Sequence, residues 1–203
     1  MNVPQNIKRD TLRFTYADYR TWPEGERWEL VGGEAWNMSP APTWGHQELL
    51  GAIFVELRDF LKGKPCRPFI APVDVFLPDP GHDPNNTDTI DTVVQPDLGV
   101  VCDRSKITPR GVMGAPDLVM EIISPSSVLR DLNLKKELYG RHGCREYWVW
   151  DANLAWVSRF VRQTEGTWDE GTTYDSSQTA ESVILPGFRM VLPELRAEMG
   201  LKD

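Results

Sequence analysis

The chain has 203 residues, 22 basic side chains against 30 acidic ones, a formal charge of −8 and 40% apolar residues. That length suits one compact domain with its own core. The acidic balance excludes a generic nucleic-acid binder, whose affinity comes from Lys and Arg displacing the counterions of phosphates. No run of about 18 apolar residues occurs, and the opening MNVPQNIKRDTLRF lacks the apolar core of a signal peptide. Cys66, Cys102 and Cys144 are too few and too widely spaced for a disulfide framework or a zinc cluster, so a soluble, cytoplasmic protein with reduced thiols and no membrane contact is expected.

The chain opens with Phe14, Tyr16, Tyr19, Trp22, Trp28, Trp36 and Trp44, around a segment that predicts a short helix over 16–21 and a hairpin turning at Gly32-Gly33. Its tryptophans are candidates for base stacking or for burial in a core or a homodimer interface. From His46 to Leu61, apolar residues recur at steps of three and four, the period of a helix. Within Cys66 to Leu77, the alternation and β-branching of Ala71 to Leu77 predict a strand, and the Pro-, Gly-, Asn- and Asp-rich segment after it a loop. Leu98 to Val101 and Leu118 to Ile123 predict buried strands, joined by a polar connection over 103–114. A second helix follows Ser124-Pro125-Ser126-Ser127, then strands at Glu146 to Asp151, Ala155 to Arg162, Thr172 to Asp175 and Ser182 to Leu185. The expected class is α/β (α+β), with helix, three strands, helix and strand in that order. Within one domain over 1–203, residues 1–45 form an aromatic-rich extension, 46–151 the core and 152–203 further β-structure.

Chemistry concentrates at two strand carboxylates. Asp97 follows Pro96 at the entrance of one apolar strand, where it can face a cleft. Glu121 interrupts Leu118-Val119-Met120 and Ile122-Ile123 in mid-strand, where an ionised acid is costly without a cation or metal. Asp131, Lys135 and Tyr139 are four residues apart on one helical face. Lys135 either pairs with Asp131 on the surface or reaches the carboxylates and stabilises developing negative charge. Two carboxylates suffice for Mg²⁺ or Mn²⁺, an ion that can activate water and neutralise a phosphoryl group. Asp117, on the same strand face as Glu121, and Glu48, at the start of the long helix, are auxiliary candidates. Three histidines without an H-x-x-x-H pair argue against zinc, and Cys144 next to Gly143 and His142 matches no nucleophile motif. Residues 104–145 carry eight basic against four acidic side chains, which form either a basic face on an acidic whole or ordinary solvated surface.

The segments Trp28 to Glu34, Pro40 to His46, Gln95-Pro96-Asp97, Pro116 to Ser126, Asp131 with Lys135 and Tyr139, Gly143 to Trp148, and Leu185 to Phe188 together resemble the Uma-two family of restriction-type endonucleases, a branch of the PD-(D/E)XK nuclease superfamily. The resemblance implies an αβββαβ core, a DNA substrate, and Asp97 and Glu121 as the motif acids. Ile123 stands where the motif lysine belongs, two residues after Glu121, and Lys135 takes its place in this branch. The implied activity is a Mg²⁺- or Mn²⁺-dependent endonuclease with Asp97, Glu121 and Lys135 catalytic. The alternatives are an inactive nuclease-fold module for DNA binding or oligomerisation, and a hydrolase of small phosphate substrates.

Overall fold

The structure, a computed structural model, describes residues 13–23, 26–38, 41–83, 86–123, 128–151, 153–164 and 166–201, without the side chains of residues 128–132. In chain order the elements are helix α1 (Tyr16–Tyr19), the hairpin β1 (Trp28–Val31) and β2 (Glu34–Asn37), helix α2 (Trp44–Phe60), and strands β3 (Arg67–Ile70), β4 (Val75–Phe76), β5 (Val93–Val94) and β6 (Leu98–Val101). Then come β7 (Ile107–Thr108), β8 (Gly111–Met113), β9 (Leu118–Ile123), helix α3 (Val128–Arg141) and β10 (Glu146–Asp151). The chain continues through β11 (Trp156–Val161), β12 (Thr172–Asp175), β13 (Thr179–Glu181), β14 (Arg189–Val191) and helix α4 (Leu192–Glu198).

The central sheet runs β12-β11-β10-β9-β6-β3 and a second sheet runs β2-β1-β5-β4-β8-β7. In the central sheet only β9 and β10 are parallel, and α3 is the crossover that a parallel pair requires. Thus α2, β3, β6, β9, α3 and β10 follow one another as helix, three strands, helix and strand, with strands of the second sheet inserted between them.

Side-chain alternation assigns the two faces of the central sheet. Leu118, Met120 and Ile122 of β9 pack with Trp148 and Trp150 of β10 and with Leu49, Leu50, Ile53 and Leu57 of α2. Val119 and Ile123 point the other way, into a core with Tyr147 and Val149, Tyr139 of α3, and Val75 and Val112 of the second sheet. Glu121 shares the odd-numbered face, so the pleat alone aims it between the two sheets and α3. A third cluster joins Tyr16, Leu30, Phe76, Ile90 and Val93, with Phe14, Tyr19 and Trp22 packed on it. Most of the N-terminal aromatics are therefore core, and Trp44 differs from them in being 82% exposed.

Four expectations are corrected. The strand expected from Ala71–Leu77, within Cys66–Leu77, is reduced to β4, and β3 before it lies in the other sheet, because the chain crosses between sheets after Ile70 and Pro72 has no N–H to extend a ladder. The connection over 103–114 contains the hairpin of β7 and β8. The strand expected at Ser182–Leu185 is replaced by β13 and β14 on either side of it, and Glu146, fully buried, accepts the Val183 and Ile184 N–H groups at 2.8 and 2.9 Å. Finally, two of the three thiols are not free. The β3–β6 register pairs Arg67 with Val101, so the next residues outward, Cys66 and Cys102, face one another and are joined by an S–S bond of 2.07 Å. Cys144 remains free and buried, its thiol pushed up to about 12 by burial, which suits an inert core cysteine.

Candidate active site

The central-sheet register creates the site. Leu98 lies opposite Met120 in the antiparallel β6–β9 pair, and one further step places Asp97 beside Glu121. The two are tied reciprocally: the Ile122 N–H donates to Asp97 Oδ2 at 2.8 Å, and the Asp97 N–H donates to Glu121 Oε2 at 3.4 Å. From α3, Lys135 Nζ lies 3.2 Å from Glu121 Oε1, and the Tyr139 hydroxyl donates to the same oxygen at 3.1 Å. Lys135 and Tyr139, one turn apart, thus meet Glu121 from one helical face. The side chain of Asp131, the third residue of that series, lies outside the described residues, as do the expected helix-start residues Ser124 to Ser127.

Two groups that the sequence argument did not place in the site belong to it. Glu29 of β1 is 7% exposed, its Oε1 lies 3.0 Å from Lys135 Nζ, and it accepts the Gln95 N–H at 2.9 Å. It is an acid interrupting an apolar strand, the signal that singled out Glu121. His46 is the third residue of α2; the Thr43 side chain caps that helix by accepting the His46 N–H at 3.3 Å. His46 Nε2 reaches Asp97 Oδ2 at 3.2 Å.

The structure does not bring Glu48 and Asp117 to this cluster. Glu48 is exposed on α2, two residues past His46. Asp117 precedes β9, roughly 13 Å along an extended chain from Glu121, where it accepts the Cys102 N–H at 2.8 Å and lies 3.5 Å from Arg145 Nη1. The candidate basic face is likewise divided among local partners. Lys106 donates to the Ala115 carbonyl at 2.8 Å, Lys136 lies over the Phe160 ring at 3.4 Å, and Lys135 is enclosed by Glu29 and Glu121.

Glu29 and Glu121 therefore hold one ammonium between them, and a third carboxylate, Asp97, lies beside Glu121. Burial pushes Glu121 up to about 7; Lys135 opposes that shift, while Asp97 and Glu29 add to it. Burial works against the Lys135 charge too, but Glu121 and Glu29 outweigh it and hold the ammonium well above its usual range. The hydrogen bond with Asp97 raises His46 against the opposing effect of burial. Burial and Glu121 hold the Tyr139 phenol well above its usual range, so it stays protonated and donates.

The donor set fits a hard divalent cation. Asp97 and Glu121 supply oxygen ligands from adjacent strands, and the surplus negative charge favours a cation. The Asp97 side chain is 21% exposed and so remains open to solvent. Among the described residues no group of three or more His, Cys, Asp or Glu is gathered to hold a metal. An ion held here by two carboxylates would keep most of its waters, as magnesium commonly does.

A pH dependence follows from Glu121. Its folded-state value of about 7 lies above the ordinary 4.5, so the folded state binds this proton more tightly than the unfolded one. The resulting stabilisation is full below the ordinary value and is lost as pH rises through about 7. In chelator, the melting temperature of wild type relative to Glu121→Gln should fall as pH rises across that window. A constant difference would contradict the burial argument.

The helix, the three strands with their acids and the α3 crossover define a restriction-endonuclease-like nuclease fold. The chain belongs to the Uma2 family, described as "Putative restriction endonuclease", whose model matches residues 16–195. The structure is similar to the crystal structure of a protein from Anabaena variabilis ATCC 29413 described as a putative nuclease belonging to DUF820. The TM-score is 0.70 at 18% identity, over 91% of this chain and 98% of that one. No curated protein matches the chain. No described helix is long and apolar enough to cross a membrane.

Proposed function

We propose that the protein is a metal-dependent endonuclease acting on DNA, in which Asp97 and Glu121 hold Mg²⁺ or Mn²⁺. The observation that carries this reading is the 3.2 Å contact between Lys135 Nζ and Glu121. Ile123, at the position of the motif lysine, is 7% exposed and belongs to the core, so α3 supplies the cation that the strand lacks. When bound, the ion would lower the pKa of a water and offset charge on the phosphoryl oxygens. Lys135 orients that water and stabilises the developing negative charge. Glu29 fixes the ammonium from its second side, Tyr139 holds the Glu121 carboxylate, and His46 orients Asp97. Glu29, Tyr139 and His46 are positioning residues.

Trp44 supports a nucleic-acid substrate. It stands two residues before His46 on α2 and is 82% exposed, so a base beside the scissile phosphate can stack on it. Trp44→Ala is expected to weaken single-stranded DNA binding about tenfold, since one base–aromatic stack contributes roughly 1–3 kcal/mol, with an unchanged melting temperature. Fluorescence anisotropy with a labelled oligonucleotide measures this; unchanged affinity removes Trp44 from the interface.

The test of the function is to offer supercoiled plasmid, single-stranded DNA and RNA with Mg²⁺ or Mn²⁺, and again with chelator. Metal-dependent cleavage of DNA supports the reading. Salt-sensitive DNA binding without cleavage supports an inactive nuclease-fold module instead, and cleavage confined to RNA or to small phosphate compounds changes the substrate.

A further inference from the structure

A depression of about 460 Å³ has no role in the scheme above; Tyr19, Asp74, Gln95, Thr108, Arg110 and Gly111 are among the residues that line it. Its size lies within the range of roughly 300–1,000 Å³ typical of small-molecule sites. Gln95 is the wall shared with the candidate active site. Its main-chain N–H binds Glu29, the carboxylate that also holds Lys135. Its side-chain Nε2 donates to Asp74 Oδ1 at 2.9 Å and to the Tyr19 hydroxyl at 3.3 Å, while its Oε1 accepts from Arg27 Nη2 at 3.1 Å. Both ends of the amide are engaged, so it cannot turn over.

Asp74 is held with equal care. Its main-chain carbonyl accepts the Val112 N–H at 2.8 Å, and a Cβ on Gly111, which has φ +143°, would strike that carbonyl. Only glycine lets the β7–β8 hairpin lie this close. Burial raises the Asp74 carboxyl above its usual range, against the hydrogen bonds from Gln95 and Tyr16. At the rim, Arg110 is 50% exposed in its side chain, hydrogen-bonded to Thr87 at 2.7 Å and 3.6 Å from Asp88. The depression thus combines an accepting carboxylate in its wall, an aromatic ring and a cation at its mouth.

We propose that this depression is a nucleobase site that takes an unpaired guanine, with the N–H edge of the base on Asp74 and a phosphate toward Arg110. The proposal deepens the nuclease reading and rests on it. A carboxylate only accepts hydrogen bonds and can take two parallel ones. Guanine presents two adjacent donors, N1–H and the N2 amino group. Adenine and cytosine each present an amino group beside an accepting ring nitrogen, and uracil a single N–H flanked by two carbonyls that repel a carboxylate. Gln95 then couples occupancy of the base site to the Glu29–Lys135 pair.

The test titrates GMP, AMP, CMP and UMP into the full chain in chelator, followed by calorimetry. GMP is expected to bind at least about tenfold more tightly than UMP, the discrimination that a good bidentate base contact provides. Asp74→Asn should remove that preference, weakening GMP about tenfold while leaving UMP within about twofold. No GMP binding, equal affinity for all four nucleotides, or a loss in Asp74→Asn shared equally by all four would overturn the site. Should Asp74→Asn fail to fold by circular dichroism, the wild-type ranking still decides. Arg110→Ala, at the exposed rim, should weaken all four nucleotides alike, and unchanged affinity there overturns the phosphate contact. Plasmid cleavage assayed on the same preparation separates the two readings. Ranked binding without cleavage keeps the base site and removes the nuclease; cleavage without ranked binding removes the base site alone.

Discussion

Glu121→Gln is expected to lower cleavage at least a hundredfold to a thousandfold, on the order of the loss when one preorganised electrostatic group is removed, while the protein stays folded. The amide keeps the volume of the acid. Its oxygen can still accept from Lys135 and Tyr139, which both donate to Oε1 in the wild type. The loss falls on the Oε2 side, where the Asp97 N–H would face an NH₂ group. The lost bond to the carboxylate, roughly 1.5–3 kcal/mol for a charged acceptor, is offset by relief from burying an ionised acid. What the variant lacks is the negative charge that, with Asp97, would hold the cation. Activity assays at saturating Mg²⁺, paired with thermal melts, check both halves. Retained cleavage would remove Glu121 from the chemistry, and an unfolded variant would assign it to stability.

Lys135→Met carries the largest expected effect on stability. The lysine is 17% exposed in its side chain, with Glu29 at 9% and Glu121 at 8%. Taking away the ammonium leaves Glu29 and Glu121 facing one another in the interior, with Asp97 beside Glu121. Breaking a buried pair from one side costs roughly 3–5 kcal/mol, and because the remaining charges are all negative the loss should be largest at neutral pH. Without the ammonium that lowers it, Glu121 is raised still further by burial and its acidic neighbours, so acidification protonates it and the deficit should shrink as pH falls. Urea unfolding at two pH values measures this, and a loss independent of pH would mean that packing dominates. Lys135→Arg separates structure from chemistry. It keeps the charge, so stability is largely restored. Its planar fork cannot reproduce an ammonium held between two carboxylates, so cleavage should stay low.

The residues of the proposed chemistry were legible where chemistry and periodicity conflict. An acid in an apolar strand is costly, and that conflict singled out Glu121. Asp97 was visible as the residue that opens the neighbouring strand, and the helical spacing of Lys135 and Tyr139 gave their shared face. The same reasoning applied to Trp28-Glu29-Leu30-Val31 would have found Glu29. What the short β1 does not show locally is its partners, since Gln95 at the end of the neighbouring β5 and Lys135 on α3 are far away along the chain, and such contacts leave no trace in local spacing. The Cys66–Cys102 bond was hidden for a related reason: the two residues are 36 positions apart and meet only through the antiparallel β3–β6 register. Long elements with strong periodicity, such as α2 and β9, were readable. The two- and three-residue strands of the second sheet were not, since β4, β5, β7 and β8 are each too short to show a pattern of alternation.

The most direct measurement is calorimetric titration of Mn²⁺ into wild type, Asp97→Asn and Glu121→Gln at neutral pH, each shown to be folded by circular dichroism. The account predicts a site in the wild type that competes with Mg²⁺ and is lost in both variants. Equal Mn²⁺ affinity in all three proteins would contradict it, because the two strand carboxylates would then not be what holds the ion.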